Sequence, residues 1–104
     1  MVPDLSEVTG LGNFTAKTES DPKSNQAVKE RTIFFRGDKA FLVKNDHTIE
    51  VRCDEKLSKH LINEYESVME SRYFGRGGIE IIPAGQLSRD DLADLIRLSY
   101  NLSE

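Results

Sequence analysis

The sequence predicts an α+β domain of two layers, with a five-stranded antiparallel sheet and the helices packed on one face. Three observations predict it. Short β-branched and aromatic runs, separated by tight turns, fill residues 32–53. Apolar residues then recur at helical spacing from Leu57 onward. The chain closes on a buried strand, a turn and an amphipathic helix whose start is written out in full. The order is β-β-β-α-β-β-α over residues 31–104, and a chain of 104 residues fits one such domain.

Residues 1–30 read as a poorly ordered or irregular N-terminal segment. Leu5, Val8 and Leu11 supply a turn or two of helix that Gly10 and Gly12 cut short. Ser20 to Gln26 is rich in turn formers and has no apolar residue, leaving Phe14 as the one expected anchor.

Thr32–Arg36 and Lys39–Lys44 are separated only by Gly37-Asp38. Glycine at the first central position suits a type II′ hairpin. After a turn at Asn45-Asp46-His47, Ile49, Val51 and Cys53 alternate with Glu50 and Arg52, which predicts a strand with one buried and one wet face. Glu50 and Glu80 are expected as surface residues. Asp54 is a good N-cap for a helix of about four turns. Its stripe is Leu57, Leu61, Tyr65, Val68 and Met69, with Ile62 at the edge.

Glu70–Gly75 and Gly78–Pro83 then read as a second hairpin around Arg76-Gly77. The final helix has a capping box at Ser88 and Asp91 and a hydrophobic staple at Leu87 and Leu92. Asp90 and Asp91 sit against the positive end of its dipole. Leu92, Leu95, Ile96, Ser99 and Leu102 share the face it lays down.

Composition bounds the function classes. The chain is 38% hydrophobic and 31% charged, which fits a soluble globular domain. No apolar run is long enough to span a membrane. The N-terminus has neither a basic start nor an apolar core, and Cys53 has no internal partner for a disulfide, so a cytoplasmic location is expected. A net charge of -4 builds in no long-range attraction to nucleic acid or anionic lipid.

Gly37-Asp-Lys-Ala-Phe-Leu-Val43, Ile49-Glu-Val-Arg-Cys-Asp-Glu-Lys-Leu57 and the closing Asp91–Leu102 helix, with its Ser99-Tyr100 pair, resemble the MmcQ/YjbR-like family. Parts of the pattern are similar to type III secretion chaperones and TfoX N-terminal domains. The resemblance covers roughly residues 32–102. It implies a small two-layer α+β domain with DNA binding as its role, and no catalytic residues to carry over. The chain differs from the family in showing only fragments of its opening helix and in having no tryptophan.

The residues that imply a partner are Arg36, Arg72, Arg76 and Lys39, with Arg52 and Lys44 nearby and Tyr73 and Phe74 interleaved. Cations and aromatics so mixed can track a phosphate backbone and stack bases. The expectation is therefore a non-enzymatic binding module that takes nucleic acid weakly through the sheet and its hairpin tips. The alternative is a protein-interaction or dimerisation module acting through a sheet edge or face. Gly75-Arg-Gly-Gly78 lies between strands rather than before a helix, so it does not read as a phosphate cradle. His47, Cys53 and His60 show no metal-ligand or nucleophile–base spacing, and no cofactor is expected.

Overall fold

Gly37 adopts φ +65°, and no non-glycine residue among those described has a positive φ. The Arg36-Gly37-Asp38-Lys39 turn thus has one left-handed residue at its first central position, as a type II′ turn requires. That turn opens the sheet of the computed structural model, which describes residues 14–20, 30–45, 47–83 and 86–103. The strands are β1 (Thr15–Ser20), β2 (Glu30–Arg36), β3 (Lys39–Lys44), β4 (Ile49–Arg52), β5 (Val68–Ser71) and β6 (Gly75–Ile81). The helices are α1 (Glu55–Glu64) and α2 (Arg89–Leu102). All strand pairs are antiparallel, in the order β1-β2-β3-β4-β6-β5.

The sheet has six strands, not five. The extra one, β1, comes from the segment expected to be irregular. It lacks the apolar alternation that marks a strand, because it lies on an edge and buries little. Cross-strand pairs hold it instead: Thr18 with Thr32 at 3.2 Å, and Arg31 donating to Glu19 at 2.6 Å. Just before it, Phe14 packs on the rings of Phe34 and Phe41, with centroids 5.9 and 6.3 Å away. The expected helical fragment at Leu5, Val8 and Leu11 lies outside the described residues.

Two boundaries also differ from expectation. α1 stops at Glu64, where Tyr65 turns extended at φ -129° and ψ 124°, so Val68 and Met69 belong to a strand. Val68 reaches the same core from β5 that it would have reached from a longer helix, so apolar spacing could not separate the two. The second hairpin turns at Arg72-Tyr73-Phe74, with Gly75 at φ +62°, and Arg76 to Gly78 lie inside β6. Gly78 is needed for close packing rather than for a turn. A Cβ there would sit 2.5 Å from the Val51 carbonyl oxygen and 2.6 Å from the Phe74 Cβ.

Both helices cover one face. Leu57 and Leu61 of α1 and Leu92, Ile96 and Tyr100 of α2 join Phe34, Leu42, Val51, Ile79 and Ile81 in one core. The caps form as the sequence specifies: Asp54 accepts from the Leu57 N–H, and Ser88 and Asp91 close their box. Leu102 is 48% exposed rather than buried, because the helical repeat carries it about 80° round from Leu92. A second, smaller cluster lies on the helix-free face: Ile33, Ala40 and Val43, with Phe35 and Phe74 against it. Among the described residues, no helix is long and apolar enough to cross a membrane.

Candidate functional site

Glu50 and Glu80 stand directly opposite one another on β4 and β6, on the helix-free face. Cys53 donates to the Gly77 carbonyl on the same ladder. Counting back from that bond makes Glu50 and Glu80 a non-hydrogen-bonded pair, where side chains approach most closely. Both are buried, Glu50 completely, which corrects their expected place on a wet surface. Two adjacent carboxylates out of water are costly unless donors satisfy them. Here Glu50 accepts from Ser71 Oγ at 2.7 Å, the Tyr73 N–H at 2.8 Å and Asn45 Nδ2 at 2.8 Å. Glu80 accepts from Thr48 Oγ1 at 2.6 Å and from Arg72 Nε at 3.0 Å.

This network fixes the Arg72-Tyr73-Phe74 turn, which folds back over the helix-free face. Phe74 lies 5.0 Å from the Arg52 guanidinium, and Tyr73 lies 5.2 Å from that of Arg31. Every oxygen of the two carboxylates is engaged within the fold. The pair therefore organises a turn rather than presenting an acid or base to a substrate. The strand pattern held a signal for it, since Glu50 and Glu80 alternate with inward apolar residues on strands that pair. Asn45, Thr48 and Ser71 gave no sign of their roles.

The residues expected to meet nucleic acid are not brought together. Arg36 is on the helix side, where its guanidinium stacks 4.3 Å from the Tyr100 ring and donates to the Tyr100 carbonyl at 3.0 Å. Lys39 is its cross-strand partner at the same hairpin. Arg72 and Tyr73 belong to the opposite face. Arg76 is exposed beside α1, in a shallow cleft of about 340 Å³ that Glu55, Lys59, Ile62 and Glu70 also line. Arg52 is turned inward and donates to the Ala40 carbonyl.

Comparison with family models, with curated proteins and with solved structures finds no match. The chain's own surface is thus the guide to its site.

The candidate site is the outer edge of β5. Ile82 donates to the Ser67 carbonyl, which sets the alternation along the β5–β6 ladder. Met69 faces inward to its partner Glu80, while the backbone groups of Val68 and Glu70 point away from β6. The Val68 N–H is satisfied by the Tyr65 carbonyl at 3.2 Å. Among the described residues no strand pairs with the Val68 carbonyl or with the N–H and carbonyl of Glu70. Large exposed apolar residues flank this edge: Met69 and Ile82 on the helix-free side and Ile62 on α1. The other edge, β1, presents Thr15, Ala16, Lys17 and Thr18 and no large apolar residue.

The remaining reactive groups are buried in the core or exposed on the surface. Cys53 is buried in the main core, and burial pushes its thiol up, with the Asp54 carboxylate adding to the shift and a Ser58 hydrogen bond partly offsetting it. His47 and His60 are exposed. Among the described residues, no group of histidine, cysteine and acidic side chains is placed to hold a metal ion.

Proposed function

We propose that the protein is a non-enzymatic protein-interaction module that accepts an extended strand from its partner on the outer edge of β5. The observation that carries this reading is the edge at Val68 and Glu70, which no strand among the described residues pairs, flanked by exposed Met69, Ile82 and Ile62. An edge of unpaired backbone is a template for strand addition, and alternate side-chain contacts then give specificity. Nucleic-acid binding, the other expectation, has less to draw on. Arg31, Arg36, Arg52 and Arg72 already serve Glu19, Tyr100, Ala40 and Glu80, and the net charge is -4.

The test is a titration followed by backbone amide shifts, using labelled extended peptides of alternating apolar and polar residues and, separately, a labelled DNA duplex at low and high salt. Peptides are expected to move the amides of Val68–Ser71. Glu70→Pro, which removes an outward donor without touching the inner ladder, is expected to abolish the effect. A DNA complex that weakens steeply with salt, with those amides unmoved, overturns the reading in favour of the nucleic-acid one.

A further inference from the structure

We infer that the strand β5 accepts is the β5 of a second copy, paired antiparallel about a two-fold axis through Met69; this rests on the edge reading above. The register follows from charge and from hydrogen-bond accounting. Outward-facing residues must pair with outward-facing residues, so three arrangements of the two edges compete. Pairing Glu70 with Glu70 puts like charges directly opposite, which destabilises a sheet. Pairing Val68 with Val68 wastes the centre, because that N–H is already given to Tyr65. Pairing Val68 with Glu70 opposes no like charges and keeps one of the two bonds in each pair, because only the Val68 N–H is already taken.

In that register each Glu70 N–H donates to the Val68 carbonyl of the other copy. Within β5 no like charges oppose. Met69 meets Met69 as a non-hydrogen-bonded pair, the closest kind, so each copy covers the exposed thioether of the other. Exposed Ile82 flanks that contact on the same face. Two copies of a four-residue edge make a small, isologous contact, so the dimer is weak and concentration-dependent.

Sedimentation of the full chain from low micromolar to millimolar concentration reads the association directly. The chain is expected to pass from monomer to dimer. Met69→Cys is expected to give a disulfide-linked dimer under mild oxidation with oxidised glutathione. The Cα atoms of such a pair lie about 4.5 Å apart, within disulfide range, and Cys53 is buried and does not compete. Lys17→Cys, on the β1 edge, is expected to stay monomeric. A monomer at every concentration overturns the self-pairing, as does a dimer that Met69→Cys fails to cross-link. If the chain stays monomeric while extended peptides still move the Val68–Ser71 amides, the self-pairing falls and the interaction reading stands. If neither occurs, both fall.

Discussion

The hydroxyl of Ser99 lies 2.7 Å from the backbone nitrogen of Arg52, accepting its hydrogen bond, and donates in turn to the carbonyl of Phe41. Phe41 and Arg52 would form the next hydrogen-bonded pair on the β3–β4 ladder beyond Leu42 and Val51. The β2–β3 register shifts at Phe34 and Phe35 and leaves Phe41 as the extra residue, which bends β3 away from β4. A helix side chain then fills the gap in the ladder. Ser99→Ala leaves a buried N–H and a buried carbonyl without partners and is expected to cost about 2–5 kcal/mol. Urea denaturation checks this, and a loss under about 0.5 kcal/mol would show that water replaces the hydroxyl.

Glu50 makes a stronger case of the same kind. Glu50→Ala strands the donors of Ser71, Tyr73 and Asn45 beneath a folded turn and is expected to cost about 3–5 kcal/mol. Glu50→Gln keeps the shape but aims an amide N–H₂ where acceptors are required, so an intermediate loss is expected. Chemical denaturation of the two variants, with the Tyr73 backbone amide shift as a local probe, reads both. A Glu50→Ala protein as stable as wild type would mean that the turn holds itself on Phe74 packing alone.

What the sequence made legible was local. Ser88 with Asp91, Asp54 and Gly37 each carry their structural instruction in a single side chain or in the lack of one, so caps and the first turn could be read without the fold. The inward set Ile49, Val51 and Cys53 was legible for the same reason, through a period of two. β1 was not, because an edge strand held by Thr18–Thr32 and Glu19–Arg31 pairs needs no apolar pattern. Val68 and Met69 fit a helix stripe as well as a strand, and only the pairing with Ile81 and Glu80 decides between them. Burial of Glu50 and Glu80 depends on a turn contributed by distant residues. The separation of Arg36 from Arg72 was illegible for a related reason: each hairpin tip faces its own side of the sheet, and linear spacing does not reveal which.

Within α2, burial ranks the apolar positions. Ile96 is 1% exposed whereas Leu95 is only half-buried. Ile96→Ala is expected to cost about 2–5 kcal/mol, and Leu95→Ala less. Ser88→Ala, which removes one side of the capping box, is expected to cost about 0.5–2 kcal/mol. Equal losses at Leu95 and Ile96 in thermal or urea unfolding would mean that the helix is rotated from its described face.

The Cys53 thiol gives a pH dependence with a definite sign. Burial, aided by Asp54, raises its value in the folded state above that of the unfolded chain. The unfolded thiol therefore ionises first, near pH 8.5, and stability falls as pH rises through that value and on toward the folded one. Below it the contribution is fully present. Cys53→Val, which keeps an apolar side chain of similar size, is expected to lose less stability than wild type between neutral and alkaline pH. Parallel stability–pH curves for the two proteins would rule the thiol out as the source.

Phe14 and β1 make the N-terminal segment part of the structure rather than a dispensable tail. Phe14 caps an aromatic run with Phe34 and Phe41, and Phe41 continues it edge-on to Tyr100 with centroids 5.1 Å apart. Removing the ring takes apolar area from a site that neighbours cannot fill, so Phe14→Ala is expected to cost about 1–3 kcal/mol, below the full-core range because Phe14 is half-buried. Deleting residues 1–25 goes further. It strips β1 from β2 and leaves the whole Glu30–Arg36 strand, with its Ile33-Phe34-Phe35 run, as a bare edge. A long apolar edge of that kind invites pairing between chains. The expected product is a destabilised protein that aggregates, whereas deleting only residues 1–13 keeps Phe14 and β1. Light scattering and urea denaturation of the two truncations separate the cases, and a soluble, cooperatively unfolding 26–104 fragment would show that β2 needs no neighbour.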